Sequence, residues 1–318
     1  MRARRLSAVG VGAVAALAVM SACGSGDNTA AGAGSQEAVT KGAGATTVSV
    51  VASTDVWGDV VKQIAGSLAG STVQITSIIT DPDADPHSYE ANTQNQLALS
   101  KAKLVVENGG GYDDFVDTML KTADNAGVTK LNAVDISGKT APKGGDLNEH
   151  VWYDFPTVQK VAAQIEQALA KADPANAATY QGNESAFDQK LAAMESTEAS
   201  IKSAHAGEGV AITEPVPLYM LQACGLDNKT PSEFSEAIEE GTDVSPAVLK
   251  QAEDLFNDKQ VKLLAYNEQT SGPETEAVLK AAKANDIAVV PVTETLPAGK
   301  DYLSWMQSNL AAIQTALG

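Results

Sequence analysis

From residue 47 onward, short apolar and β-branched runs alternate with stretches whose apolar positions recur every three or four residues. The runs at 47–53, 73–79, 104–108 and 131–136 predict strands, and the amphipathic stretches 56–64, 94–102 and 112–122 predict helices between them. Strands and helices alternating in this way build a parallel sheet with helices on its faces. The order returns with strands at 210–213, 262–266 and 288–292 and helices at 245–256, 273–284 and 302–317. The fold class is therefore α/β, in two lobes that each hold a mostly parallel sheet flanked by helices. Between the lobes, 157–172 and 176–204 are helical in pattern and are broken at Asp173-Pro174. The second of these, at about 29 residues and 1.5 Å per residue, is roughly 43 Å long. It can run the length of both lobes as a single rigid connection.

Residues 1–23 have a different pattern. A basic start (Arg2, Arg4, Arg5) precedes a short apolar stretch, which closes at Met20-Ser-Ala-Cys23. This is a secretory signal, too short in its apolar part for a permanent membrane span. Ser21 and Ala22 ahead of Cys23 resemble a bacterial lipobox, in which the cysteine becomes the lipidated N-terminus; the other reading is an ordinary cleaved signal with an incidental cysteine. Residues 24–46, rich in Gly, Ala, Ser and Thr without periodicity, read as a flexible tether. The expected organisation is a signal at 1–23, a tether at 24–46, an N-terminal lobe at 47–175, a linking helix at 176–204 and a C-terminal lobe at 205–318.

The chain has 22 Lys+Arg against 40 Asp+Glu, a formal net charge of −18, which excludes a nucleic-acid binder driven by phosphate neutralisation. Loss of the signal removes three arginines and no acids, so the exported body is more acidic still. Aromatic residues make up only 5%, which predicts an aliphatic core and argues against a carbohydrate cleft lined with tryptophan. Once Cys23 is lipidated, only Cys224 remains. No intramolecular disulfide is then expected, and Cys224, in an apolar stretch, reads as a buried, inert thiol.

The three histidines carry the candidate chemistry. His87 lies in Asp83-Ala-Asp-Pro-His-Ser-Tyr-Glu90, past a strand, where loops of an α/β sheet line the ligand crevice. On its own it reads either as a solvated loop residue or as a ligand. His150, in Asn148-Glu-His-Val-Trp-Tyr-Asp154, reads either as a satisfied histidine at a helix entrance or as an imidazole packed on Trp152 with one nitrogen facing a cleft. His205 follows the long helix, where its partial charge suits the helix dipole, and reads as structural or solvated. The acids Glu236, Glu239 and Glu240 form a charge patch to which no role is assigned.

Three segments together, Asp85-Pro-His-Ser-Tyr-Glu90, the run LSKAKLVVENG at 99–109, and Glu149-His-Val-Trp-Tyr-Asp154, resemble the metal-binding substrate-binding lipoproteins of bacterial ABC transporters for manganese, zinc and iron. The similarity extends from about residue 47 to the end. It implies one divalent metal held between the lobes by four side chains: His87, His150, Glu214 after the first C-lobe strand, and Glu294 after the last, where Asp is commoner. Glu268, at the end of a C-lobe strand, is the alternative fourth ligand; Asp85, in an acidic loop with Asp81 and Asp83, reads either as solvated or as supporting the ligands. Two imidazoles and two carboxylates neutralise a dication, and four side chains supply four to six donor atoms; oxygen-rich, variable coordination suits Mn²⁺ or Fe²⁺ more than the all-nitrogen sites that favour zinc. With no histidine-rich loop present, Mn²⁺ is the first choice, although a mixed site also takes up Zn²⁺.

The implied function is extracytoplasmic capture of a metal ion by a monomer anchored to the membrane at Cys23, and delivery to a permease driven by a cytoplasmic ATPase, without catalysis. Two other readings are a metal-dependent hydrolase, which a His-Glu site with an open position could support, and an adhesin or structural lipoprotein on the same fold. The hydrolase reading lacks a His-Glu-x-x-His pair and an evident general base.

Overall fold

The computed structural model describes residues 47–81, 89, 92–143 and 145–318. The expected signal and tether, Cys23, Asp85 and His87 lie outside the described residues.

The first sheet comprises β1 (Val48–Thr54), β2 (Val73–Ile79), β3 (Leu104–Glu107) and β4 (Thr129–Asn132), all parallel and ordered β2-β1-β3-β4. Its helices are α1 (Asp55–Ala65), α2 (Thr93–Lys101), α3 (Phe115–Ala123) and α4 (Ala133–Ser137). α5 (Phe155–Ala172) and the 29-residue α6 (Ala177–His205) follow. The second sheet repeats the scheme: β5 (Gly209–Ile212), β6 (Asp227–Asn228), β7 (Leu263–Asn267) and β8 (Ala288–Val292), parallel and ordered β6-β5-β7-β8. Its helices are α7 (Leu218–Ala223), α8 (Ser232–Glu239), α9 (Pro246–Asn257), α10 (Pro273–Ala284) and α11 (Tyr302–Leu317). The two α/β lobes and the single long helix agree with the pattern in the sequence.

The central strands explain themselves. β3, β5 and β7 are buried at every position, as strands covered by helices on both faces must be, and they read as near-continuous apolar runs. Pro291 cannot donate to a ladder and sits in the edge strand β8, where that deficit is tolerated. In both sheets the chain reverses direction beside the first strand, so the crevice outside the carboxyl ends of β1 and β3, and of β5 and β7, is the expected ligand position.

Two expectations need correction. The run 131–136 is the end of β4 followed by α4: the Asn132 side chain accepts the Asp135 N–H at 2.9 Å, and this cap starts a helix that its β-branched residues alone would not favour. The core is also less aliphatic than composition suggested. Trp57, Trp152 and Trp305, with Tyr153, Tyr180 and Tyr302, are among the largest fully buried side chains. Tyr153 and Tyr302 meet Trp305 edge-on, at centroid distances of 5.6 and 6.4 Å. These aromatics lie in one apolar cluster that also takes in β1, α5, α6, β5, β7 and α11, so the lobes share a core. Cys224 is buried and free, and burial pushes its thiol up to about 12, as expected for an inert cysteine.

The buried face of α6 runs Tyr180, Phe187, Leu191, Met194, Glu198, Ile201, so Glu198 occupies a place where the spacing calls for an aliphatic residue. Desolvation, with smaller contributions from the charges of Glu195 and Asp154, pushes its carboxyl up to about 8. The folded state therefore holds a proton that the unfolded chain releases, and stability falls as pH rises from the ordinary glutamate range towards 8. Glu198→Gln is expected to raise stability at pH 8 by on the order of 2 kcal/mol and to change it little at pH 4. Denaturant unfolding at both pH values checks this; an equal gain at both would show that charge is not the cause.

Candidate metal centre

The site is assembled where the carboxyl ends of the strands approach the segment ahead of α5. Beyond β3 the chain makes a turn of three successive glycines, Gly109, Gly110 and Gly111, with φ of 78°, 73° and 99°. This left-handed region suits glycine alone. A Cβ on Gly109 would also fall 2.2 Å from the Asn132 side-chain amide. The Asp113 carboxylate closes the turn by accepting the N–H groups of Asn108 at 2.6 Å and Gly109 at 2.8 Å. The turn delivers Tyr112, buried, to the site; burial, followed by the charges of Glu294 and Asp113, holds the phenol well above its ordinary pKa.

His150 is fully buried. Its ring lies against Trp152, at a centroid distance of 5.0 Å, and near Tyr112, at 6.0 Å. The Asn148 side chain sets its protonation. Asn148 Nδ2 donates to the Pro215 carbonyl at 3.0 Å, which turns Oδ1 towards His150. That oxygen accepts the His150 backbone N–H at 3.0 Å and lies 2.8 Å from Nδ1. An amide oxygen only accepts, so Nδ1 carries a proton and Nε2 is the nitrogen turned towards the acids. Nε2 faces Glu239 Oε1 at 3.4 Å and Glu294 Oε2 at 3.9 Å.

Glu294, just past β8, is buried, and its Oε1 accepts from Asn267 Nδ2 at 2.9 Å. Its own N–H donates to Gln269 Oε1. Glu214, two residues past β5, is buried and near enough for its charge to act on Glu239. Glu268 is exposed; the neighbouring Asn267 supplies the side chain that reaches Glu294. Of the residues singled out in the sequence, His150 and Glu294 face one another at 3.9 Å, Glu214 is buried, and Glu268 is exposed.

Glu239, at the C-terminal end of α8, belongs to the group as well. Ligand atoms of Glu149, His150 and Glu239 all lie within 4.8 Å of one another. Desolvation and then the charges of Glu149, Glu294 and Glu214 push the Glu239 carboxyl up to about 10. In the sequence Glu239 belongs to a charge patch to which no role is assigned, and the placement of α8 turns it towards His150. The signal for Tyr112 in the sequence is the run of three glycines before it.

A family model matches residues 50–316, and its description is zinc-uptake complex component A, periplasmic. The chain belongs to this ZnuA family. Among its relatives is the manganese ABC transporter substrate-binding lipoprotein scaA of Streptococcus gordonii, 27% identical over 293 residues, covering 85% of this chain and 89% of that protein. The manganese-binding lipoprotein MntA of Halalkalibacterium halodurans is 27% identical over 146 residues, 46% of this chain and 47% of that one. The chain spans about half the length of three of the curated relatives it matches, 43%, 47% and 44%. Among solved structures, the substrate-binding protein FpvC of Pseudomonas aeruginosa in complex with Mn²⁺ superposes with a TM-score of 0.70 at 20% identity, over 86% of this chain and 98% of that one. The two-lobed architecture is therefore that of the ZnuA family.

The Asn148 contact gives a direct test of the tautomer. In ¹⁵N NMR of this ZnuA-family chain without metal, His150 is expected to show a protonated Nδ1 and an unprotonated Nε2. Asn148→Ala removes the acceptor and is expected to give a mixture of tautomers; an unchanged spectrum would show that Asn148 does not set the proton's position.

Proposed function

We propose that this chain captures a single divalent transition metal ion outside the cytoplasm and hands it to an ABC-type import permease with a cytoplasmic ATPase, as cargo and not for catalysis. One observation carries the reading: a fully buried imidazole, its Nδ1 proton committed to Asn148, turns Nε2 towards Glu239 and Glu294, at 3.4 and 3.9 Å. Several carboxylates converging out of water are costly by themselves, and a dication compensates them. Membership of the ZnuA family and the metals named for its relatives, manganese, iron and zinc, support the same reading.

The proposed ligands are His87, His150, Glu214 and Glu294, with Asp85 in support. Two nitrogens and two carboxylates favour Mn²⁺ as cargo, with Zn²⁺ and Fe²⁺ as alternatives. The proposed organisation is a signal at 1–23, a lipid anchor at Cys23, a tether at 24–46, and lobes at 47–175 and 205–318 joined by the helix at 176–204, acting as a monomer. Among the described residues no helix is long and apolar enough to cross a membrane.

Calorimetry with Mn²⁺ and Zn²⁺ is expected to give one ion per chain, and His150→Ala is expected to weaken binding by about 100-fold or more. A protonated imidazole has no lone pair to offer, so affinity is expected to fall as pH is lowered, by about tenfold per pH unit for each proton displaced. Absence of binding at neutral pH, or metal-dependent hydrolysis lost in His150→Ala, would overturn the proposal.

A further inference from the structure

We infer that Glu239 is a fifth metal-binding side chain of this centre, and that it sets the preference for a larger, oxygen-seeking dication such as Mn²⁺ over Zn²⁺. The inference rests on the metal-binding reading above and extends it to a residue outside the four-ligand set.

The geometry points to Glu239 in three ways. Its Oε1 stands 3.4 Å from His150 Nε2, nearer than Glu294 Oε2 at 3.9 Å. Because Nδ1 is held by Asn148, that nitrogen edge is the one through which His150 can bind an ion, and Glu239 and Glu294 both border it. Glu239 also forms part of the wall of an open groove of about 630 Å³, which runs past Asn148, Glu149, Pro215 and Tyr219. It therefore borders both the approach from solvent and the enclosed donors. Its position at the end of α8 is held from below by Phe234 and Ile238, which are buried in the C-lobe core, so the side chain is presented by a packed element.

The chemical consequence concerns coordination number. Zn²⁺ is satisfied by four donors in a tetrahedron, whereas Mn²⁺ takes more donors and prefers oxygen. A third carboxylate adds one or two oxygens to two imidazoles and two carboxylates. It raises the donor count beyond what zinc uses and makes the donor set −3 against a charge of +2. An ion that gains from extra oxygens loses most when this carboxylate is removed.

The test is competition titration of the full chain with Mn²⁺ and with Zn²⁺, for the native protein, Glu239→Gln and Glu239→Asp, with Glu240→Gln as an exposed neighbouring control. Glu239→Gln is expected to weaken Mn²⁺ binding by about tenfold or more while Zn²⁺ affinity changes by less than about threefold. Glu239→Asp is expected to recover part of the loss, and Glu240→Gln to change neither. The EPR spectrum of the Mn²⁺-loaded protein is expected to change in Glu239→Gln and to stay as in the native protein in Glu240→Gln. Thermal melting of the metal-free variants confirms that they fold. Unchanged Mn²⁺ affinity in Glu239→Gln, or equal losses for both ions, overturns the inference and leaves the four-ligand proposal standing. A native chain that binds neither ion overturns the metal-binding reading itself, and this inference with it.

Discussion

A neutral imidazole buried away from water has one proton to place and one lone pair to offer, and the nitrogen that holds each decides what the ring can bind. In this chain the choice belongs to Asn148, whose amide is itself oriented by donating to the Pro215 carbonyl. Pro215 directly follows Glu214, so one amide joins the segment bearing the histidine to the loop bearing an acid of the other lobe. Tyr219 strengthens the link by donating its hydroxyl to the Asn148 carbonyl at 2.6 Å. The chemistry of His150 thus depends on the lobes staying in register, and that register is written into backbone carbonyls.

Further hydrogen bonds bridge the same junction. Tyr153 donates to the carbonyl of Thr293, one residue before Glu294, at 2.8 Å, and Tyr302 donates to the Trp152 carbonyl at 2.7 Å. The Asp59 carboxylate accepts the Tyr302 N–H at 2.9 Å, and Asp55 accepts that of Leu296 at 3.2 Å. Around these bonds the three tryptophans and their tyrosine partners are removed from water, each worth about 1.5–3 kcal/mol of burial. A wide hinge opening would expose this shared core and break those bonds. Small rearrangements of the loops past β3, β5 and β8 and at the end of α8 cost far less, and these are the places that hold Tyr112, Glu214, Glu294 and Glu239.

Electrostatics explains why so many acids can meet in a buried place. Each carboxylate that loses water becomes harder to ionise, and neighbouring acids add to the penalty, as the elevation of Glu239 to about 10 reflects. Asn267 partly offsets this by donating to Glu294. Glu198 on α6 obeys the same rule away from the site. There the buried acid lies in an apolar stripe, and its cost falls on stability at high pH.

Local pattern was enough for the two parallel sheets, the long helix and most helix bounds, because strand and helix periodicity is a property of neighbouring residues. It misread 131–136, where a side-chain cap at Asn132 outweighed β-branched propensity, and it passed over α7, β6 and α8, which are too short to show a period. His150, Glu214 and Glu294 stand out as candidates through their places beside strand ends and helix entrances and through resemblance to a family. Glu239 was not, since facing inward or outward on an eight-residue helix is decided by what that helix packs against. Residue types and their order in the chain determined which donors exist and roughly where along the fold they fall. Only the packing of the two lobes decided which donors meet, which nitrogen of His150 is available and how far the acids are dried, because distance, tautomer and desolvation are set by groups far apart in sequence.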